Sequence, residues 1–173
     1  MVDKVIIFSG KQYSGKDTAA KIMLDLMPEY RRCAMGDIIK QTYAAQKGLT
    51  YEQIEQNKSQ YRADLIALGN WGRAQNPDYW LYKILEQKGN IIVTDVRVPH
   101  EYEIFKAAGA ITIRVEASRD VRMQRGDLVG EDDITEIGLD HIKDWDYVID
   151  NNGDYENLKT QVLKIIENIN KNL

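Results

Sequence analysis

The residues Gly10-Lys11-Gln12-Tyr13-Ser14-Gly15-Lys16-Asp17-Thr18 follow the apolar run Val5-Ile6-Ile7 and open an amphipathic segment. Strand, glycine-rich turn and helix is the setting in which a loop wraps a phosphate group. Glycine at both ends lets the backbone turn tightly, so that successive N–H groups point inward at phosphate oxygens while the helix start adds partial positive charge. Lys16 then supplies a full charge for the outer phosphates. The spacing is that of G-x-x-x-x-G-K-[ST] with one departure: Asp17 stands where a hydroxyl commonly ligates Mg²⁺, and Thr18 follows one place later. Any metal must therefore be held by a different set of ligands. An ordinary strand-to-helix connection also uses turn glycines. What favours the phosphate loop is Lys16 in its required place after the first strand.

Two more clusters suit the same chemistry. Ile91-Ile92-Val93-Thr94-Asp95 reads as a buried strand ending in a carboxylate, which can orient Mg²⁺ or its water; an acidic turn residue is the plainer reading. Arg97, two residues on, is placed either to bind an acceptor's anion or to sit solvated at a helix start. Arg119, Arg122 and Arg125 share one face of a helix and precede a glycine-flanked acidic loop, residues 126–133. Guanidinium groups on a closing loop neutralise a migrating phosphoryl group and exclude water, although arginines on a solvated helix are equally ordinary.

The elements that must position these residues alternate between short apolar runs and helical stretches, the pattern of a parallel sheet with helices on both faces. Strands are expected at 4–8, 31–35, 90–94, 110–115 and 147–150. Helices are expected at 15–27, 37–47, 59–73, 78–87, 99–107, 118–125 and 154–170. Residues 51–87 form a long helical insertion that would cap the acceptor side, and 118–139 a lid. No repeat or Pro/Ser-rich linker divides the 173 residues, so one domain, 1–173, is expected.

Composition narrows the partners. At 43% hydrophobic content the chain can bury a substantial core, and a net charge of −4 with dispersed basic residues argues against a nucleic-acid polymer. A small anionic ligand fits better. No apolar run approaches the roughly 20 residues that span a bilayer, and no secretory h-region precedes the first strand, so no membrane partner and a cytoplasmic location are expected. Cys33, the sole cysteine, is expected to pack inside a strand.

Phe8-Ser9-Gly10-Lys11 with Ser14-Gly15-Lys16-Asp17 resembles the P-loop of the animal-type phosphomevalonate kinases. The similarity continues through Ile39-Lys40, 58–62, 73–77, Asp95 with Arg97, Arg114-Val115, Arg125-Gly126, and Asp132-Asp133 through Glu136 to Gly138-Leu139-Asp140. The resemblance implies a nucleoside-monophosphate-kinase-like P-loop fold. It also implies ATP and Mg²⁺ as cofactors, with the γ-phosphoryl group passing to the phosphate of mevalonate 5-phosphate. By position, Gly10, Lys11, Ser14, Gly15, Lys16, Asp17, Thr18 and Arg114 would bind nucleotide, and Asp17 and Asp95 would hold the metal. Arg73, Arg97 and Lys11 would bind the acceptor, while Lys16, Arg97, Arg122 and Arg125 would carry catalysis. Gln12, Tyr13 and Val98 stand where that family is more basic. The segment 69–80 and Asp95-Val96-Arg97 with Glu101 are also similar to phage-type deoxynucleoside monophosphate kinases, for which Trp71, Tyr79, Trp80 and Tyr82 offer stacking surfaces. A nucleotide-binding module without catalysis is a further alternative, though no guanine-reading N-K-x-D follows a strand. Oligomeric state is left open between monomer and dimer.

Overall fold

The computed structural model describes residues 3–171. In chain order the elements are β1 (Val5–Ser9), α1 (Lys16–Leu26), β2 (Tyr30–Arg32), α2 (Met35–Lys47), α3 (Tyr51–Gln56), α4 (Lys58–Gln75) and α5 (Tyr79–Leu85), then β3 (Asn90–Val93), α6 (Pro99–Ala107), β4 (Ile111–Glu116), α7 (Arg119–Arg125), α8 (Ile134–Ile137), β5 (Tyr147–Asp150) and α9 (Tyr155–Lys171). They fall into two compact units. Helices α2 to α5 make up a helical unit, Cys33–Lys88, and all five strands lie in a sheet unit built from Asp3–Arg32 and the chain from Gly89 onward.

The sheet is parallel throughout, in the order β2-β3-β1-β4-β5. β1 is central, with Val5 opposite Ile91 on one side and Ile6 opposite Ile111 on the other, and all five of its residues are buried. A strand covered on both faces must be apolar throughout, which is why this one reads as a continuous run instead of an alternating one. Ile6 and Phe8 point to the face covered by α1 and α9. There they meet Ala19, Ala20 and Met23 of α1 and Leu158, Val162, Ile165 and Ile169 of α9, whose three- and four-residue spacing makes one apolar stripe. On the other side α6 buries Tyr102 and Phe105. Because β1 lies between β3 and β4, its C-terminal end opens at the point where the connections diverge. That is the crevice where open α/β sheets receive ligands.

The second strand is shorter than expected and the next helix begins earlier. Strand β2 ends at Arg32, and α2 starts at Met35 because Asp37 reaches back to accept the Ala34 N–H at 3.1 Å, closing the first helical turn there. Cys33 is buried as expected, but in the connection after the strand. Helix α3 is an addition to the expected set, nucleated by the reciprocal pair of Thr50 and Gln53, each side chain bonded to the other's N–H. Helix α8 is a second addition. Its N-cap Asp133 accepts from the N–H and hydroxyl of Thr135.

In the helical unit α2 packs on α3, α4 and α5. Its tightest seam is at Gly72, where the indole of Trp80, only 1% exposed, lies against the helix backbone and donates its N–H to the Gly69 carbonyl at 2.9 Å. A Cβ at Gly72 would stand 2.6 Å from the indole nitrogen. Alanine gains up to about 1 kcal/mol of helix propensity, whereas forcing a buried ring aside costs about 1–3 kcal/mol. Gly72→Ala is therefore expected to lower stability by about 1–2 kcal/mol, read as a lower urea midpoint; an unchanged or raised midpoint would show that Trp80 yields without cost.

Candidate active site

Five segments of the sheet unit end at the same edge: the loop after β1, the ends of β3 and β4, α7 with α8, and the turn after β5. The loop from Gly10 to Gly15 is shaped by its backbone. Gly15 takes φ +93°, and the Ser14 N–H bonds the Lys11 carbonyl at 3.0 Å. No other residue fits at Gly15, because a Cβ would run into the side-chain amide of Asn151 as well as straining the left-handed backbone. Asn151, the first residue after β5, donates that amide to the Ser14 carbonyl at 2.7 Å. Arg125 completes the clamp, donating to the carbonyls of Tyr13 (3.1 Å), Ser14 (3.3 Å) and Asn151 (2.6 Å). These carbonyls turn outward to Asn151 and Arg125. The N–H groups of Gln12 and Ser14 go to Glu136 and the Lys11 carbonyl, and the remaining N–H groups of the loop are those left for a phosphate.

Lys16, at the first position of α1, crosses to the end of β3. Its ammonium donates to the Thr94 carbonyl at 2.5 Å and pairs with Asp17 at 2.9 Å, and its side chain is only 12% exposed. The Asp17 carboxylate is 85% exposed, available to a ligand from solvent. The loop residues Gly10 to Thr18 line a cleft of about 430 Å³ together with Arg97, Arg125 and Glu136. Arg97 is exposed, and the N–H groups of Arg97 and Val98 are both tied to Glu101, which caps α6. Burial pushes the Glu101 carboxyl up from its usual range against the pull of those two bonds. Asp95 lies half-buried between β3 and this cap, close enough that its charge also raises Glu101.

A second cleft of about 450 Å³ adjoins the loop on the β4–β5 side, lined by Lys11, Ser14, Arg114, Ser118, Arg122 and Asn152 among others. Arg114 is nearly buried. It donates to Ser9 Oγ at 3.0 Å and to Asp140 at 3.1 Å, and desolvation draws its pKa down against the pull of the surrounding acids. Asp140 also holds Lys11 at 2.7 Å, so one carboxylate fixes two of the cations expected to meet nucleotide. The three arginines expected on one helix face have separate environments. Arg119 makes a two-point ion pair with Glu131, Arg122 is buried with its Nε unpartnered, and Arg125 grips the loop.

The remaining expected residue, Arg73, belongs to the helical unit. There it lines a pocket of about 690 Å³ with an aliphatic floor, Ile39, Leu65 and Ile66, and a basic rim of Lys40, Lys58, Arg62 and Arg73. Glu55 pairs with both lysines. Among the described residues no aromatic ring lines this pocket. Trp80 is spent on the seam with Gly72, and Tyr79 meets both Trp71 and Trp80 edge to face. Three residues of the sheet unit escaped the sequence reading as contributors: Asn151, Asp140 and the buried Glu136, which accepts the Gln12 N–H at 3.1 Å. None carries a local signature, because their partners in the phosphate loop lie more than 100 residues away.

Comparison with known proteins agrees with this architecture. Solved shikimate kinases share the fold: that of Aquifex aeolicus superposes with a TM-score of 0.53 at 16% identity, covering 97% of each chain. The Acinetobacter baumannii enzyme, solved in complex with shikimate, gives 0.56 at 16% identity over 98% of this chain and 94% of its own. A curated relative, a UPF0200/UPF0201 protein of Archaeoglobus fulgidus, is 27% identical over 190 residues; the match takes in 98% of this chain but 57% of that protein, so this chain spans little more than half its length. The phosphomevalonate kinase family model matches residues 8–110, and the deoxynucleotide monophosphate kinase model matches residues 63–162. Each covers more than half of the chain, which therefore belongs to both the phosphomevalonate kinase and the deoxynucleotide monophosphate kinase families.

Proposed function

We propose that this kinase moves the γ-phosphoryl group of ATP onto the phosphate of mevalonate 5-phosphate. The observation that carries the choice of acceptor is the pocket of the helical unit, aliphatic in its floor, basic on its rim and without an aromatic ring. A branched aliphatic chain with a carboxylate at one end and a phosphate at the other suits such a lining. A nucleobase would want a ring to stack on. In this reading Arg73, with Arg62, binds an anionic end of the acceptor. Within the sheet unit, Arg97 and Lys11 line the clefts beside the loop and suit phosphate. An acceptor phosphate is already anionic at neutral pH, so transfer needs alignment and charge neutralisation and no strong general base.

The cleft beside β4 and β5 suits the nucleoside, with Arg114 and Arg122 toward its phosphates, and Gly10 to Thr18 hold the triphosphate. Lys16 and Arg125 neutralise charge as it shifts. Mg²⁺, which such kinases use, would lower the charge of the triphosphate, and Asp17 and Asp95 would hold it; the exposed Asp17 and the half-buried Asp95 are the hard-oxygen donors such an ion takes. Among the described residues no helix is long and apolar enough to cross a membrane.

The test is a coupled ADP-release assay with mevalonate 5-phosphate and the deoxynucleoside monophosphates side by side. Turnover with mevalonate 5-phosphate alone is expected, and Arg73→Met should raise its KM about tenfold or more, the scale of one charge-assisted hydrogen bond. Preference for a deoxynucleoside monophosphate would move the chain to the other kinase reading, which the match at residues 63–162 favours.

A further inference from the structure

Gln12 and Tyr13 are two uncharged residues inside a loop built to bind anions, and both are committed to the segment after α7. The Gln12 side-chain amide meets Val129 at two points, donating to its carbonyl and accepting its N–H at 3.2 Å, much as a neighbouring strand would. Its main chain is held as well. The N–H goes to Glu136 at 3.1 Å and the carbonyl accepts from Arg122 at 3.4 Å. Tyr13, the one non-glycine residue with positive φ (57°) among those described, lays its ring on Gly126, where a Cβ would overlap it and stand 2.7 Å from the phenolic oxygen. Gly126 itself has extended backbone, so it is the ring that demands glycine there. Val129 is otherwise bare, 74% exposed, and among the described residues only Gln12 is recorded as a hydrogen-bond partner of its backbone.

We infer that Gln12 is a positioning residue that latches the 126–133 loop over the phosphate loop, with Tyr13 as its second point of contact, so that phosphate binding and lid position are coupled through one side chain. A lysine or arginine at position 12 could donate to Val129 but could not accept its N–H. The two-point contact needs a side chain that both donates and accepts, as the Gln12 carboxamide does. The inference rests on the kinase reading for its purpose, to keep water from the transferred group, but its geometry stands without it.

The test uses Gln12→Met, which keeps the length of the side chain and removes both bonds, with an unfolding curve to show that the variant is folded. Amide hydrogen exchange at Val129 in the nucleotide-free protein is expected to accelerate at least tenfold, a readout that needs neither nucleotide nor acceptor. A fluorescent ADP analogue should leave severalfold faster, and ATP hydrolysis without acceptor should rise relative to transfer. Gly126→Ala, which displaces Tyr13 from the other side, is expected to move the same three readouts in the same direction. Unchanged Val129 exchange and ADP release in folded Gln12→Met would overturn the latch. Accelerated Val129 exchange in a protein that turns over neither acceptor class would leave the latch standing and remove the proposed function.

Discussion

Lys16→Ala is expected to lower turnover by roughly a hundredfold or more, about 2.7 kcal/mol of transition-state stabilisation, while the protein remains folded. The argument begins with where the ammonium is held. It is drawn to the Thr94 carbonyl and to Asp17, with its side chain 12% exposed, so it meets a triphosphate from a fixed position and largely out of water. A charge in that setting neutralises phosphate oxygens with little reorganisation as bonds change, the situation in which single groups contribute most to rate. The fold should survive because position 16 opens α1, where alanine is an excellent helix former, and because the apolar stripe of that helix begins at Ala19. The measurements are far-UV circular dichroism for folding and steady-state ADP release for rate. A folded variant within a few fold of the parent would end the assignment of Gly10–Thr18 as the phosphate loop.

The phosphate loop was legible in the sequence because its chemistry is local: strand, two glycines and a lysine lie within twelve residues, and the backbone of Gly15 behaves as that spacing requires. The sheet was legible for a related reason. Strands buried on both faces appear as bare apolar runs, as Val5 to Phe8 and Ile91-Ile92-Val93 do, whereas Ile111 to Val115 alternates, with Thr112 and Arg114 between apolar residues. Boundaries set by side-chain capping were less visible. Asp37 looked like the start of a helix, whereas its carboxylate reaches back to Ala34 and moves that start to Met35.

What holds the site together was largely hidden, since it depends on pairs remote in the chain: Asn151 with Ser14, Glu136 with Gln12, Asp140 with Lys11. Nothing near Asn151 distinguishes it from any asparagine in a turn after a strand. The arginine cluster teaches the same lesson. A three-residue spacing correctly put Arg119, Arg122 and Arg125 on one short helix, but it could not tell that one would be paired on the surface, one buried and one wrapped on loop carbonyls. The aromatic residues 71–82 left stacking and packing both open, and Gly72 decides for packing at Trp80 because only a residue without a side chain lets the indole lie on the helix.

Chelation by EDTA is expected to abolish transfer to below detection, and added Mg²⁺ to restore it in full. Four phosphate groups brought together by donor and acceptor carry more negative charge than Lys16 and the arginines of one loop can offset, so removal of a divalent cation should cost more than loss of any single side chain. The protein's own ligand set gives the experiment a second edge. Among the described residues no group of three His, Cys, Asp or Glu side chains could hold an ion by itself, and Asp17 is an exposed carboxylate already paired with Lys16. Mg²⁺ is commonly bound through one or two carboxylates plus substrate phosphates. It should therefore bind with nucleotide and not before it. Titration of Mg²⁺ into the nucleotide-free protein is expected to give no measurable heat, and EDTA is expected to leave the unfolding midpoint unchanged. Transfer that persists in EDTA would refute the metal requirement, and tight Mg²⁺ binding without nucleotide would show a protein-built site that Asp17 and Asp95 alone do not explain.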